Sequence, residues 1–236
     1  MICLTQCKNN KFVPGAINYH LMNCKFCNQK CIRKGKSGSI QKFQCVKCRK
    51  YQQSEYRYNS YNVEDKQIVL LTKEGCGIRS TSRILGISQT TLLRRILKIA
   101  ASLKKPMVQF GKSYEVDELF TYVLHKNNRI CIAYSLEQDT KTVTDIVVGK
   151  RNKQNLKKIL NTLFLSDAER ITTDKLNIYK ELIPSSVHST KHRGINHVER
   201  KNLTLRTHLK RLNRRTLCFS KSLVVLTAVL RIYFWA

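Results

Sequence analysis

Three acidic residues and one arginine are spaced so that a folded chain can gather them around one phosphate. Asp117 sits within SYEVDELFTYV (113–123), Asp174 closes RITTD (170–174), and Glu199 stands near the start of a helical stretch. Arg206 follows Glu199 by seven residues, two helical turns along the same face. Gathered carboxylates repel one another and repel phosphate. With two divalent ions roughly 3.5–4 Å apart they become instead a site for in-line phosphoryl displacement. All-oxygen donors at an open site suit Mg²⁺ or Mn²⁺ better than zinc. Strand alternation puts Glu115 on the face of Asp117 and turns Glu118 to the other face, where a structural role is expected. Each acid also has a plainer use. Asp117 can pair with a lysine, Asp174 can cap the helix KLNIY, and Glu199 can be a surface acid beside Arg200.

The elements that must position these residues read as strand, strand, strand, helix, strand, helix, strand, helix. SYEVDELFTYVL, NRICIAYSLE and KTVTDIVVGK are strand-like runs joined by short polar turns. NKQNLKKILNTLFL (152–165) carries Leu156, Leu160 and Leu163 on one helical face, and RITTD is a short strand. KLNIYKELI reads as helix and SVHST as a further short strand, before a long helix across 195–213 with Val198, Leu205, Leu209 and Leu212 as its buried stripe. That order is the order of a ribonuclease-H-like α/β fold. It places one acid in the middle of the first strand, one just past the fourth, and one on the last helix. Glu199 lies about 100° from Val198 on a helical wheel, at the border of the buried stripe.

The charge balance points to a polyanion. The chain has 44 Lys and Arg against 15 Asp and Glu, a net charge of +29. Residues 1–100 hold 19 basic and 4 acidic residues and residues 101–236 hold 25 and 11, so both halves are expected to touch the same anionic polymer. With 42% hydrophobic residues the chain can bury a real core. MICLTQCKNNKF lacks a basic start followed by a long apolar run, so no secretory signal is expected. The apolar stretch LVVLTAVLRIYFWA (223–236) is short and contains Arg231; it reads as a core or docking helix, with no membrane partner.

Seven of the ten cysteines precede residue 50, in what is read as a reducing compartment. CKFC (24–27) and CVKC (45–48) have the spacing of a four-cysteine structural zinc site built from Cys24, Cys27, Cys45 and Cys48. Gly35 and Gly38 suggest a hairpin between the pairs, hence a zinc ribbon. Cys31 is expected to be free, and Cys3 and Cys7 form a looser pair without an assigned purpose. Lys47, Arg49, Lys50, Tyr51, Tyr56, Arg57 and Tyr58 are candidates for contacts to a DNA backbone.

Residues 64–100 read as helix, glycine turn, helix. Glu64 and Asp65 begin a first helix, Gly75 and Gly77 end it, Gly86 turns the chain, and Ser88 caps QTTLLRRILKIA. In a helix-turn-helix this last helix presents Gln89, Thr90, Thr91, Arg94 and Arg95 to a major groove. A purely structural three-helix unit has the same pattern. The expected division is therefore a zinc ribbon at 1–62, a helix-turn-helix at 63–101, a linker at 102–112 around Pro106 and Gly111, and an α/β domain at 113–236.

EVDELFTYV, TTD and HVERKNLTLRTHLKRLNRRTLCFSKS together resemble the catalytic region of the bacterial insertion-sequence-one transposases, and the ribbon and GCGIRSTSRILGIS resemble that family's DNA-binding part. The likeness covers about residues 24–225. Departures are Lys175 and Leu176 where Gly-Trp is usual, Phe120 where Trp is common, and Cys218 in place of Ser. The resemblance implies a DDE-type transposase in which Asp117, Asp174 and Glu199 hold Mg²⁺ or Mn²⁺ and Arg206 is the basic residue after the glutamate. It implies double-stranded DNA as partner, both the element's terminal inverted repeats and a target. A cut strand end, as a 3′-hydroxyl, then attacks target DNA, which implies a homodimer or higher oligomer and a prokaryotic, cytoplasmic, nucleoid-associated location. The rivals are a zinc-ribbon and helix-turn-helix regulator with an inactive second half, and a nuclease that hydrolyses without joining.

Overall fold

The computed structural model describes residues 22–55, 63–190 and 194–236, which fall into two compact units divided after Asn62. Cys3, Cys7, Tyr56, Arg57 and Tyr58 lie outside the described residues.

In the first unit, β1 (Cys31–Ser37), β2 (Ile40–Cys45) and β3 (Tyr51–Gln53) form an antiparallel sheet in that order. The tight β1–β2 turn needs a left-handed residue and finds it in Gly38, at φ +61°. Each C-x2-C pair is followed by a left-handed residue, Asn28 or Arg49. Their N–H groups donate to the carbonyls of Cys24 (2.9 Å) and Cys45 (3.1 Å), so two like turns face one another. Buried Gln52 ties β3 to the first turn, accepting from Lys25 N–H and donating to the Asn23 carbonyl, each at 2.9 Å.

The second unit is built on a five-stranded sheet in the order β6–β5–β4–β7–β8. Here β4 is Ser113–Val123, β5 His125–Glu137, β6 Val143–Gly149, β7 Arg170–Thr172 and β8 His188–Ser189. The first three pair antiparallel, while β7 and β8 run parallel to β4. The sheet is covered on both faces, which is why β5 reads as an unbroken apolar run. Tyr114 and Val116 of β4 pack with Leu156, Leu160 and Leu163 of α4 (Lys153–Leu165) and with Tyr179 of α5 (Asn177–Leu182). Leu119 and Val123 point to the other face, into a core with α6 (Asn196–His208) and α7 (Leu223–Trp235). This α/β arrangement has the ribonuclease-H-like order expected from the sequence.

The helices α1 (Asp65–Lys73), α2 (Ile78–Leu85) and α3 (Gln89–Ser102) do not stand apart from the sheet. Ile68, Leu92 and Ile96 share one buried core with Leu119, Leu226 and Leu230. The cause is α7, which packs on α1 and α3 while also touching β6. Residues 103–112 are fastened too. Arg231 donates to the Leu103 carbonyl (2.8 Å), Lys105 pairs with buried Asp145 (2.6 Å), and the Tyr114 hydroxyl donates to Gln109 (2.9 Å). The separate unit at 63–101 and the linker at 102–112 expected from the sequence are thus parts of one packed body with 113–236.

The stripe Val198, Leu205, Leu209 and Leu212 is buried throughout, but the helix expected across 195–213 stops at His208. Leu209 leaves helical geometry and a short 3₁₀ turn, Lys210–Leu212, follows. The end of α6 meets the α1–α2 turn at Gly75, whose φ is +72° and where an added Cβ would lie 1.9 Å from the His208 carbonyl oxygen. Gly75→Ala therefore combines left-handed strain of roughly 1–2 kcal/mol with a backbone clash. A loss of more than about 2 kcal/mol in urea unfolding is expected; unchanged stability would show that α6 does not dock there.

Candidate active site and metal centre

Asp117 and Glu115 leave β4 on the side of α6, and both meet it. Glu115, 1% exposed, accepts the N–H of Val198 at 2.8 Å and lies 2.7 Å from Nδ1 of His197. Ile195 supplies no side-chain cap, so a carboxylate from the sheet satisfies the first turn of α6, where the positive end of the helix dipole favours it. Asp117 Oδ2 accepts from Nδ2 of Asn202 at 2.8 Å. The hydroxyl of buried Tyr134 lies 2.8 Å from Oδ1 of Asn202 and 3.0 Å from the Val198 carbonyl. That donor orients the Asn202 amide, which in turn orients Asp117. The sequence reading missed Tyr134 and Asn202; the available signal was that Asn202 falls one turn after Glu199.

Burial pushes Asp117 up to about 6; the Glu118 backbone N–H opposes this, and the charges of Asp174, Glu118 and Glu199 add to it. The carboxylates are thus near enough to repel. Asp174 lies just past β7 and accepts the Leu176 N–H at 3.1 Å, a turn that leads into α5. Exposed Glu199 lines an open groove of about 940 Å³ with Asp117, Asn202 and Arg206. Arg206 has its pKa lowered by burial and by the Arg214 guanidinium, with Asp117 acting in the opposite direction. Glu118 serves the opposite face, accepting the Tyr179 hydroxyl (2.9 Å) and pairing with Arg151 (3.0 Å), though it too reaches the groove. Burial raises its pKa against both partners.

In the first unit the sulfurs of Cys24, Cys27, Cys45 and Cys48 all lie within 4.8 Å of one another. Cys24 and Cys48 are 3.5 Å apart, and Cys27 and Cys45 are 3.3 Å apart. A tetrahedral Zn–S₄ centre with bonds of about 2.3 Å places its sulfurs roughly 3.8 Å apart, so the donor set fits that ion. Cys31 pairs with Cys45 across β1 and β2 but is not one of the four. Among the described residues no group of three carboxylates is brought as close as the four thiols.

Residues 112–235 match the family model described as IS1 transposase. The chain belongs to the IS1 transposase family. The match covers just over half of its length. Insertion element IS1 2 protein InsB of Escherichia coli (strain K12) is 34% identical over 108 residues, spanning 46% of this chain and 65% of the relative. The IS1 protein InsB of Shigella flexneri is 33% identical over 108 residues, covering 82% of that relative. Among solved structures, the HTLV-2 integrase catalytic core domain in complex with magnesium gives a TM-score of 0.36 at 15% identity, over 54% of this chain and 86% of that one. A simian T-cell lymphotropic virus intasome chain gives 0.38 at 16% identity, over 69% and 66%. Both likenesses are too slight to bear on function.

In this IS1-family chain the α3 residues singled out for a major groove differ in their surroundings. Gln89, Thr90 and Arg94 are exposed. The Thr91 N–H donates to the Ser88 cap at 3.1 Å. Arg95 is turned inward, donating to Asp65 at 2.6 Å and to the Val63 carbonyl, so it fastens the start of α1. The left-handed Gly86 at φ +64° makes the turn between α2 and α3.

Because burial and neighbouring acids disfavour the ionised form of Asp117, its neutral isostere should be better tolerated by the fold. Asp117→Asn is expected to raise stability at pH 7 by about 1–2 kcal/mol in urea unfolding. The sign follows from linkage: below about pH 4 the carboxyl is protonated folded and unfolded, and the gain vanishes; it grows as pH rises towards 6. A variant less stable than wild type at pH 7 would contradict this account.

Proposed function

We propose that this protein is a DNA transposase that binds the ends of its mobile element, cuts a strand and joins the freed end to target DNA. The observation that carries the reading is the groove in which Asp117 and Glu199 sit beside Arg206, with Asp174 close enough to perturb Asp117. Family membership supports the same reading. Asp117 and Glu199 at an open groove, with Asp174 near Asp117, have the donor chemistry for divalent cations, and these three are the residues to hold Mg²⁺ or Mn²⁺. When bound, such ions neutralise developing phosphate charge and activate the attacking oxygen.

The chain's own residues do the rest. Glu115 fixes the first turn of α6, and Asn202, held by Tyr134, binds Oδ2 of Asp117 and leaves Oδ1 free of that bond. Arg206 contacts the backbone of the strand under attack, beyond the reacting phosphate. In the joining step the 3′-hydroxyl oxygen forms a bond to a target phosphorus as the old P–O bond breaks. One phosphodiester replaces another, so no nucleotide triphosphate is needed. The four cysteines hold a structural zinc, and Gln89, Thr90, Thr91, Arg94 and Arg95 form the α3 contact surface, with Arg95 contributing mainly through its hold on α1. Assembly on two DNA ends calls for at least a dimer.

Incubating the protein with end-containing and target DNA in Mg²⁺ tests the catalytic reading. Wild type should nick and join, and Asp117→Ala, Asp174→Ala and Glu199→Ala should each lose at least 100-fold in rate while still binding DNA. If wild type binds but cuts no better than Asp117→Ala, the protein is a regulator. If it nicks without joined products, it is a nuclease.

For the ribbon, metal analysis should find about one zinc per chain, lost in Cys24→Ser together with the fold of residues 22–55. Full zinc retention in that variant would overturn the four-cysteine assignment.

A further inference from the structure

The groove does not end at the residues assigned above. Past Arg206 it continues along Thr207, Lys210, Asn213 and Arg214. Glu199, Asn202, Arg206 and Lys210 recur at three- and four-residue steps, so the groove follows one face of α6 and continues past its end. One pole is acidic and the other carries three cations. Among the described residues, none of Arg206, Lys210 and Arg214 forms an ion pair with a carboxylate, whereas Arg95, Arg151, Lys105, Lys112 and Lys153 all do. Arg206 and Arg214 are near enough to lower the pKa of Arg206. Two neighbouring guanidinium groups, neither ion-paired with a carboxylate and only partly offset by Asp117, are a cost in the free protein, relieved by an anion that accepts from both.

We propose that Lys210 and Arg214, with Arg206, form a second phosphate subsite that grips the backbone of the DNA strand being cut. This rests on the transposase reading of the carboxylate pole. From Glu199 to Arg206 the helix advances about 10 Å at 1.5 Å per residue. A DNA strand places a phosphate about every 3.4 Å along the duplex axis. The gripped phosphate therefore lies roughly one to three nucleotides from the bond that is cut, and the strand runs lengthwise from acids to cations. Leu203, 67% exposed between the poles, offers apolar contact to the sugar or base in between. The subsite gives register: with one phosphate anchored, the reacting one is placed at the carboxylates.

The test uses the full chain and a set of end-containing duplexes, each with a single uncharged methylphosphonate. Affinity is measured for wild type, Arg214→Ala, Lys210→Ala and Arg214→Lys, with thermal unfolding to verify that each variant folds. In wild type, one methylphosphonate within roughly three nucleotides of the cut should weaken binding several-fold. In Arg214→Ala, binding should already be several-fold weaker, the slope of log affinity against log salt should fall by about 0.9, and that same methylphosphonate should cost nothing more. Arg214→Lys should restore part of the effect. An equal penalty in wild type and Arg214→Ala at every position overturns the proposal. Because the coupling is read from binding, it stands or falls separately from cleavage: a wild type that couples as described but does not cut retains the subsite and loses the catalytic reading.

Discussion

The arrangement of the site depends on how strand β4 holds helix α6. One face of β4 presents two carboxylates two residues apart, and each takes a different hydrogen-bond donor from the helix. Glu115 receives the first-turn amide of Val198, and Asp117 receives the side chain of Asn202. The first bond fixes where the helix begins, and the second fixes its rotation. Glu199 and Arg206 can face the same groove as Asp117 only if both are set. At the far end, the absence of a Cβ at Gly75 lets the last carbonyl of α6 approach the α1–α2 turn.

The site is built against the stability of the fold. Asp117 is half-buried, faces other acids, and is shifted towards its protonated form. Further along, Arg206 faces the like charge of Arg214, only partly offset by Asp117 and with no ion pair to a carboxylate among the described residues. A groove with acids at one pole and cations at the other has the charge pattern of a surface complementary to a phosphate backbone accompanied by cations. The cost in the free protein is carried by the two apolar cores on either side of the sheet.

Much of this was legible from residue spacing, because the patterns are local. The period-2 alternation of SYEVDELFTYV separates Glu115 and Asp117 from Glu118, and the structure sends them to opposite faces. The stripe Val198, Leu205, Leu209 and Leu212 marked the buried side of the last helical stretch. The paired C-x2-C turns marked the four clustered thiols. Misread were the features set by contacts distant in sequence. α7 was recognised as a docking helix, but its pattern could not say that it would bind α1 and α3 to the sheet and erase the linker. The early end of α6 follows from its meeting with Gly75, more than 130 residues away.

By itself, then, the sequence determined the element order, the faces of the strands, the four thiols that cluster and which acids share the face of β4, because side-chain direction follows from backbone period. The tertiary structure alone decided that Glu115 caps α6, that Tyr134 and Asn202 aim Asp117, that Arg95 is drawn inward to Asp65, and that Lys210 and Arg214 extend the groove. Each of these is a contact between elements remote in the chain or a consequence of where a helix ends, and no local periodicity encodes either.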